Sequence, residues 1–364
     1  MTNRERFVKL MRGEPLDRAP FFPCFGPWPA TLERWYAEGL PRDGDWREIC
    51  GFDGDMRHML PINGFLAPQF TEEAIEEDAE TRVWVDRFGI RKRDRKDGAS
   101  MPEFLGYAIE NRADWERVRD ERLQPGLVGR VPENWQALTA TLPDRTEPYY
   151  AGDLPIGFFG GPRELLGIER LSYWFYDEPV LLEEILDHLC DLWIAVFSEA
   201  LAQAPIDLFF IWEDMCYKTG PLLSPALFRK FLLPRYKRFT AALRQAGVDI
   251  IMVDSDGDVR LLLDLWLEGG VTCLFPWETQ MGVDIVAVRK QYPTLQMIGG
   301  VNKAALAHGR GAIDEALAPM PFMLESGRFL PAVDHFVPPD VSWDNYRYFT
   351  EKLREMIEKY PPGA

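Results

Sequence analysis

IDLFFIW, residues 206–212, is a short, β-prone, apolar run, and the chain repeats its kind four more times. VDIIMV (248–253), VTCLF (271–275), LQMIG (295–299) and GRFLPAV (327–333) come after it in order. Between and around these runs lie segments of helical spacing. Residues 179–203 place Leu182, Ile185, Leu189, Val196 and Ala200 on one face, opened by Pro179 in the first turn. Ser224-Pro225 caps the next helix, which runs to Gly247. Residues 258–267, stopped by Gly269-Gly270, then 283–292, 303–318 and 342–359 complete the helical set. Buried strands alternating with helices predict a parallel sheet. PYYAG (148–152) or IGFFG (156–160) adds a sixth strand, and APFFPCF (19–25) a seventh. The count approaches an α/β (β/α)8 TIM barrel. An open doubly wound sheet is the alternative, but no glycine-rich dinucleotide fingerprint is found after any strand.

Upstream the texture changes. Residues 1–145 are rich in Pro, Gly and charge, and 81–96 (TRVWVDRFGIRKRDRK) predict a hairpin turning near Asp86-Arg87-Phe88-Gly89. That hairpin reads either as a solvated insertion or as a small basic surface for an anionic partner. No low-complexity linker separates the two regions. The expectation is therefore one domain over 1–364, with about 60–145 an insertion-rich region covering the barrel.

Charge and cysteine narrow the function. The 364 residues carry 41 Lys+Arg against 58 Asp+Glu, a net charge of −17. This opposes non-specific binding to nucleic acid or an anionic membrane. The five cysteines (24, 50, 190, 216, 273) are widely spaced with no CxxC, as expected of a reducing compartment. The charged N-terminus lacks an apolar signal core, and no apolar run approaches about 18 residues. The expected location is the cytoplasm.

The chemistry sits at the strand ends. IDLFFIW leads to Glu213, VDIIMV to Asp254-Ser255-Asp256, VTCLF to Trp277 and Glu278, LQMIGGV to Asn302, and FLPAV to Asp334-His335. In a parallel barrel these strand ends open on one face. The candidate catalytic residues are thus His335, Glu213, Asp254 and Glu278. Candidate substrate contacts are Trp28, Trp212, Asp256, Trp277, Asn302 and Phe336; the aromatics serve equally well as barrel packing. Asp256 also suits a helix cap, and His335 an ordinary loop. Several acids in one mouth repel each other, so either one is protonated or a cation sits among them. Glu213, Asp254, Glu278 and His335 are ligand types suited to Zn2+ or another divalent metal, although no HExxH or His-x-His occurs.

Five stretches resemble the uroporphyrinogen decarboxylase superfamily. They are TNRERFVKLMRGEPLDRAPFFP (2–23), IGFFGGPRELLG (156–167), GPLLSPALFRKFLLPRYKRF (220–239), MIGGVNKAAL (297–306) and AVDHFVPPDVSWDNYRYF (332–349). The resemblance implies a (β/α)8 barrel and sets His335 at the position of the decarboxylases' active-site histidine. Two departures bear on activity. The arginine-bearing motif Arg-Gln-Ala-Gly-Arg-Tyr of true decarboxylases is replaced by CFGPWPATLERWY (24–36). The His-x-Cys of the coenzyme M methyltransferases is replaced by Asp254-Ser255-Asp256. The resemblance then implies the superfamily's other branch: a methyltransferase or demethylase acting on a small O- or N-methylated substrate. Its corrinoid would ride on a separate corrinoid-binding protein, because the chain lacks an Asp-x-His-x-x-Gly motif. Decarboxylation of uroporphyrinogen or another acid is the alternative, and a non-catalytic binding protein the third. A homodimer stays open as the assembly.

Overall fold

A computed structural model describes residues 1–56, 58–97 and 101–363. Its central layer is a parallel sheet of seven strands. These are β1 (His58–Met59), β2 (Tyr149–Gly152), β3 (Leu208–Trp212), β4 (Ile251–Asp254), β5 (Cys273–Trp277), β6 (Gln296–Val301) and β7 (Phe329–Val333). Each strand pairs with the next in sequence, without reversal. That singly wound order is a barrel wall; a doubly wound sheet would reverse at a switch point. The pairing is in register at Phe209↔Ile251, Met252↔Cys273 and Met297↔Phe329. The last three strands are buried on both faces, which is why they read as unbroken apolar runs.

The structure departs from the expected barrel along APFFPCF. Phe21, Phe22 and Cys24 are buried, but the segment forms no ladder among the described residues. Pro20 and Pro23 remove two backbone donors, which a central strand cannot spare. A single parallel bridge, Pro27↔Val337, ties the segment beside the end of β7. IGFFG likewise forms no strand; it turns into the helix Gly160–Leu166.

The helices pack as the spacing predicts, with three adjustments. Pro179–Leu201 buries Leu182, Ile185, Leu189, Val196 and Ala200, and Ser224 caps its helix by accepting from the Leu227 N–H. That second helix contains a π turn at Phe228–Leu232, two residues ahead of Pro234, whose ring nitrogen offers no donor to the regular ladder. The helix expected from 258 begins later, at Leu263–Glu268, because the Asp258 N–H is held by the Tyr217 carbonyl. The helix expected over 283–292 spans Ile285–Gln291.

Between β1 and β2, Glu73–Glu77, Thr81–Val85, Arg91–Arg95 and Glu103–Gly106 pair antiparallel. Asp86 builds the turn between the middle two: one oxygen accepts from the Phe88 and Ile90 N–H groups, each at 2.9 Å, and the other pairs with Lys92 at 2.6 Å. No helix among the described residues is long and apolar enough to cross a membrane.

One buried carboxylate ties the ends of the strands remote from the mouth. Asp207, just before β3, accepts from Arg4 at 2.8 Å, from Arg145 at 3.0 Å and from the Tyr149 N–H at 3.1 Å. Removing it leaves the Arg145 guanidinium, 7% exposed, without its partner. Asp207→Ala is expected to cost about 3–5 kcal/mol in urea unfolding and to spare the ligand cavity at the opposite end.

Candidate active site

The strand ends are held in place by Glu213, which is fully buried. Its carboxylate accepts from the N–H groups of Phe158 (2.8 Å), Phe159 (2.6 Å) and Gly160 (2.9 Å), and from the Tyr236 hydroxyl. Glycine is required on this path. A Cβ on Gly157 or Gly160 would collide with the Trp212 carbonyl oxygen. Burial raises the Glu213 pKa, and the four donors pull against that rise. The Glu213 and Asp214 N–H groups in turn both donate to the Asp254 carbonyl, at 2.9 and 3.1 Å. Glu213 is thus a fastening, and its carboxylate has no capacity left for substrate or metal.

Asp254, at the end of β4, faces a cavity of about 840 Å3. The walls are mainly apolar and aromatic, including Phe25, Tyr150, Trp212, Phe275 and Phe336. Burial is the main force holding the Asp254 pKa well above its ordinary value; Asp256, Asp214, Asp153 and Glu278 add to it. Burial and like charge thus favour the protonated form of Asp254, the form able to give a proton inside an aromatic chamber. Asp214 is also raised, burial outweighing the Arg163 guanidinium that meets it at 3.0 Å. The same guanidinium lies over the Trp212 ring, 4.4 Å from its centroid.

His335 stands at the edge of this chamber. Its ring stacks on Phe25 (centroids 5.0 Å), which stacks on Phe275 (4.9 Å). Nδ1 accepts from the Phe336 N–H at 2.8 Å, so the neutral ring carries its proton on Nε2, 3.4 Å from the Asp256 carboxylate. Asp334 does not orient it. That fully buried carboxylate accepts instead from the Thr279 and Lys303 N–H groups, at 3.1 and 3.0 Å, joining the loops after β5, β6 and β7.

Of the residues expected at the mouth, Trp212, Asp254 and Phe336 line the cavity. His335 and Asp256 form an adjoining pair, and Trp28, 46% exposed, leans on Phe336 at 5.0 Å. The others are placed elsewhere. Glu278 accepts from the Gly257 N–H at 2.7 Å and from Gln280 at 3.0 Å, bracing the turn after β4. Trp277 is buried in the core. Asn302 caps the short helix Lys303–His308 through the Ala304 N–H at 2.9 Å. The expected metal set of Glu213, Asp254, Glu278 and His335 does not assemble. Backbone and side-chain donors occupy Glu213 and Glu278, and among the described residues no three His, Cys, Asp or Glu side chains are grouped to hold an ion. Sequence reasoning placed Asp214 at the end of the IDLFFIW strand and Arg87 in a predicted turn without giving either a role in the site, and it missed Phe25 and Arg163, which it read only as parts of longer stretches.

Comparison with known proteins agrees with this architecture. Residues 88–356 match the family model of uroporphyrinogen decarboxylase (URO-D), and the chain belongs to that family. A uroporphyrinogen decarboxylase of Thermus thermophilus is 26% identical over 273 residues, covering 71% of this chain and 74% of the relative. That of Nocardia farcinica is 28% identical over 204 residues, covering 53% and 52%. Among solved structures, a methyltransferase from Methanosarcina mazei superposes with a TM-score of 0.63 at 18% identity, over 98% of this chain and 99% of that one. The likeness is one of fold.

Burial lifts the Asp334 pKa to about 6 from its ordinary 3.8. A raised folded-state pKa adds stability that is complete below the unfolded value and is lost as pH rises through the folded one. The stability of the wild type relative to Asp334→Asn should therefore fall by about 2 kcal/mol between pH 4 and pH 7, read from urea unfolding at a series of pH values.

Proposed function

We propose that the protein removes a methyl group from a small methylated substrate and passes it to a corrinoid carried by a separate protein. The observation that carries this reading is Asp254, a carboxyl group on the wall of an aromatic cavity, where burial and acidic neighbours favour its protonated form. Methoxy oxygen is a poor leaving group, and a positioned proton converts the leaving phenolate or alkoxide into a neutral alcohol. In this step the methyl carbon–oxygen bond breaks, its electron pair stays on oxygen, and the Asp254 proton goes to that oxygen. A quaternary ammonium leaves as a neutral amine without a proton, so a proton donor here favours an oxygen donor over a nitrogen one. The partner's reduced corrinoid supplies the nucleophile that takes the methyl group. Phe25, Phe275 and Trp212 hold the apolar body of the substrate and keep water away. The His335 Nε2–H, polarised by Asp256, stands beside the stack for a second hydrogen bond. From Phe25 and Phe336 the aromatic surface continues, through tilted ring contacts, to the exposed Trp28, an apolar approach to the cavity for the partner's corrinoid.

The decarboxylases among the relatives favour a second reading, uroporphyrinogen decarboxylation. The charge at the cavity weighs against it. Among the described residues the cavity wall offers one exposed guanidinium, Arg87, while Arg130 spends its own on the Asn63, Phe65 and Gln124 carbonyls, so eight substrate carboxylates would meet few cations.

Asp254→Asn is expected to lower the rate of demethylation about 100-fold or more without loss of fold. The measurement is demethylated product formed from a panel of methoxyaryl and methylamine donors with a reduced corrinoid protein. The reactive form is the protonated acid, so wild-type activity should be lost as pH rises through the raised Asp254 pKa. The residual activity of the variant should lack that alkaline limb. Coproporphyrinogen produced from uroporphyrinogen, with no demethylation of any donor, would contradict the proposal.

A further inference from the structure

One guanidinium grips the chain on both sides of Glu213. Arg163, on the helix Gly160–Leu166, donates from Nη1 to the Asp214 carbonyl at 2.8 Å and from Nη2 to the Asp214 carboxylate at 3.0 Å. The same guanidinium lies over the Trp212 ring, 4.4 Å from its centroid. The neighbouring acid, Glu164, stands farther from it, at 4.0 Å. The Arg163 side chain is 19% exposed, so the grip is largely shielded from water.

Both residues that it grips need holding. Asp214 has φ 40°, in the left-handed region that a residue with a Cβ rarely enters. Such a backbone persists where its surroundings over-determine it. Here the two Arg163 bonds do so together with the Asp214 N–H, which donates to the Asp254 carbonyl at 3.1 Å. Trp212 ends β3 in register with Asp254 on β4, and both line the 840 Å3 cavity. The indole runs close to Gly160, where a Cβ would stand 2.6 Å from its Cε3. The bare glycine leaves room for the ring, and the guanidinium covers it. Arg163 itself is not on the cavity wall; it stands behind it.

A lysine could not replace this contact. Its ammonium is a point charge that can reach an Asp214 oxygen, but it has no plane to lay on the indole while bonding two oxygens. We infer that Arg163 is a positioning residue: through Trp212 and the turn at Asp214, its plane fixes the aromatic wall beside Asp254. The consequence for turnover rests on the methyl-transfer reading; the placing of Trp212 does not.

The test is fluorine NMR of the full chain labelled with 5-fluorotryptophan, the Trp212 line being assigned by its loss in Trp212→Phe. The wild type should give one narrow Trp212 line. Arg163→Lys and Arg163→Ala should shift or broaden it while the other tryptophan lines hold. Ethylguanidinium added to Arg163→Ala should restore the line, and ethylammonium, with the same charge and no plane, should not. A role confined to fold stability would not tell the two cations apart. A Trp212 line unchanged in both variants, or restored equally by both cations, would overturn the inference. Should Arg163→Ala fail to fold, a displaced Trp212 line in Arg163→Lys is the required result. Turnover of methoxyaryl donors with a reduced corrinoid protein gives the second arm: kcat should fall about tenfold or more in Arg163→Lys, with KM changed much less. If the wild type demethylates no donor while Trp212 responds as stated, the positioning stands and methyl transfer falls. If the wild type demethylates and Arg163→Lys keeps its full kcat, methyl transfer stands and the positioning falls.

Discussion

Placing a carboxylate in the protein interior is costly unless every lone pair is answered, and Glu213 is where this chain meets that demand. Three consecutive backbone N–H groups, at the turn that opens the helix Gly160–Leu166, and the Tyr236 hydroxyl converge on it. They fasten the loop after β2 to the end of β3 and to the helix Leu233–Gln245. Because the Glu213 and Asp214 N–H groups both end on the Asp254 carbonyl, the same fastening sets the end of β4. The position of the acid in the cavity is therefore inherited from a residue that does not touch the cavity chemistry.

Electrostatics then divides the acids of the mouth into two kinds. Glu213, Glu278 and Asp334 are buried acceptors of backbone N–H groups and act as loop ties. Asp254 and Asp256 belong to the same region, one at the cavity wall, where burial favours its protonated form, and the other beside the His335 Nε2–H. Repulsion among neighbours and burial act in the same direction on Asp254, with Asp153, Asp214, Asp256 and Glu278 all contributing. A net charge of −17 says little about this, because the effect is local.

The barrel wall was legible because five buried parallel strands leave five unbroken apolar runs, each followed by a helix. Their order also brought Asp254 and His335 to the correct end. Glu213, Glu278 and Asn302 come off strands in the same way, yet their side chains turn to backbone donors that no spacing rule announces. Phe158 and Glu213 are 55 residues apart, and only the folded chain brings them together. APFFPCF reads as a strand by composition and is refused one by its prolines. Arg87 was visible as part of a basic turn, but its place on the cavity wall was not, since that depends on how the antiparallel insertion packs.

The central claim is that Asp254 carries a proton at neutral pH. Infrared difference spectra between the wild type and Asp254→Asn, taken across a pH titration, read that proton directly. The account predicts a protonated-carboxyl band at pH 7 that the variant lacks, giving way to carboxylate bands only at alkaline pH. A residue showing carboxylate bands alone at pH 7, with protonation confined to the ordinary range near pH 4, would contradict it.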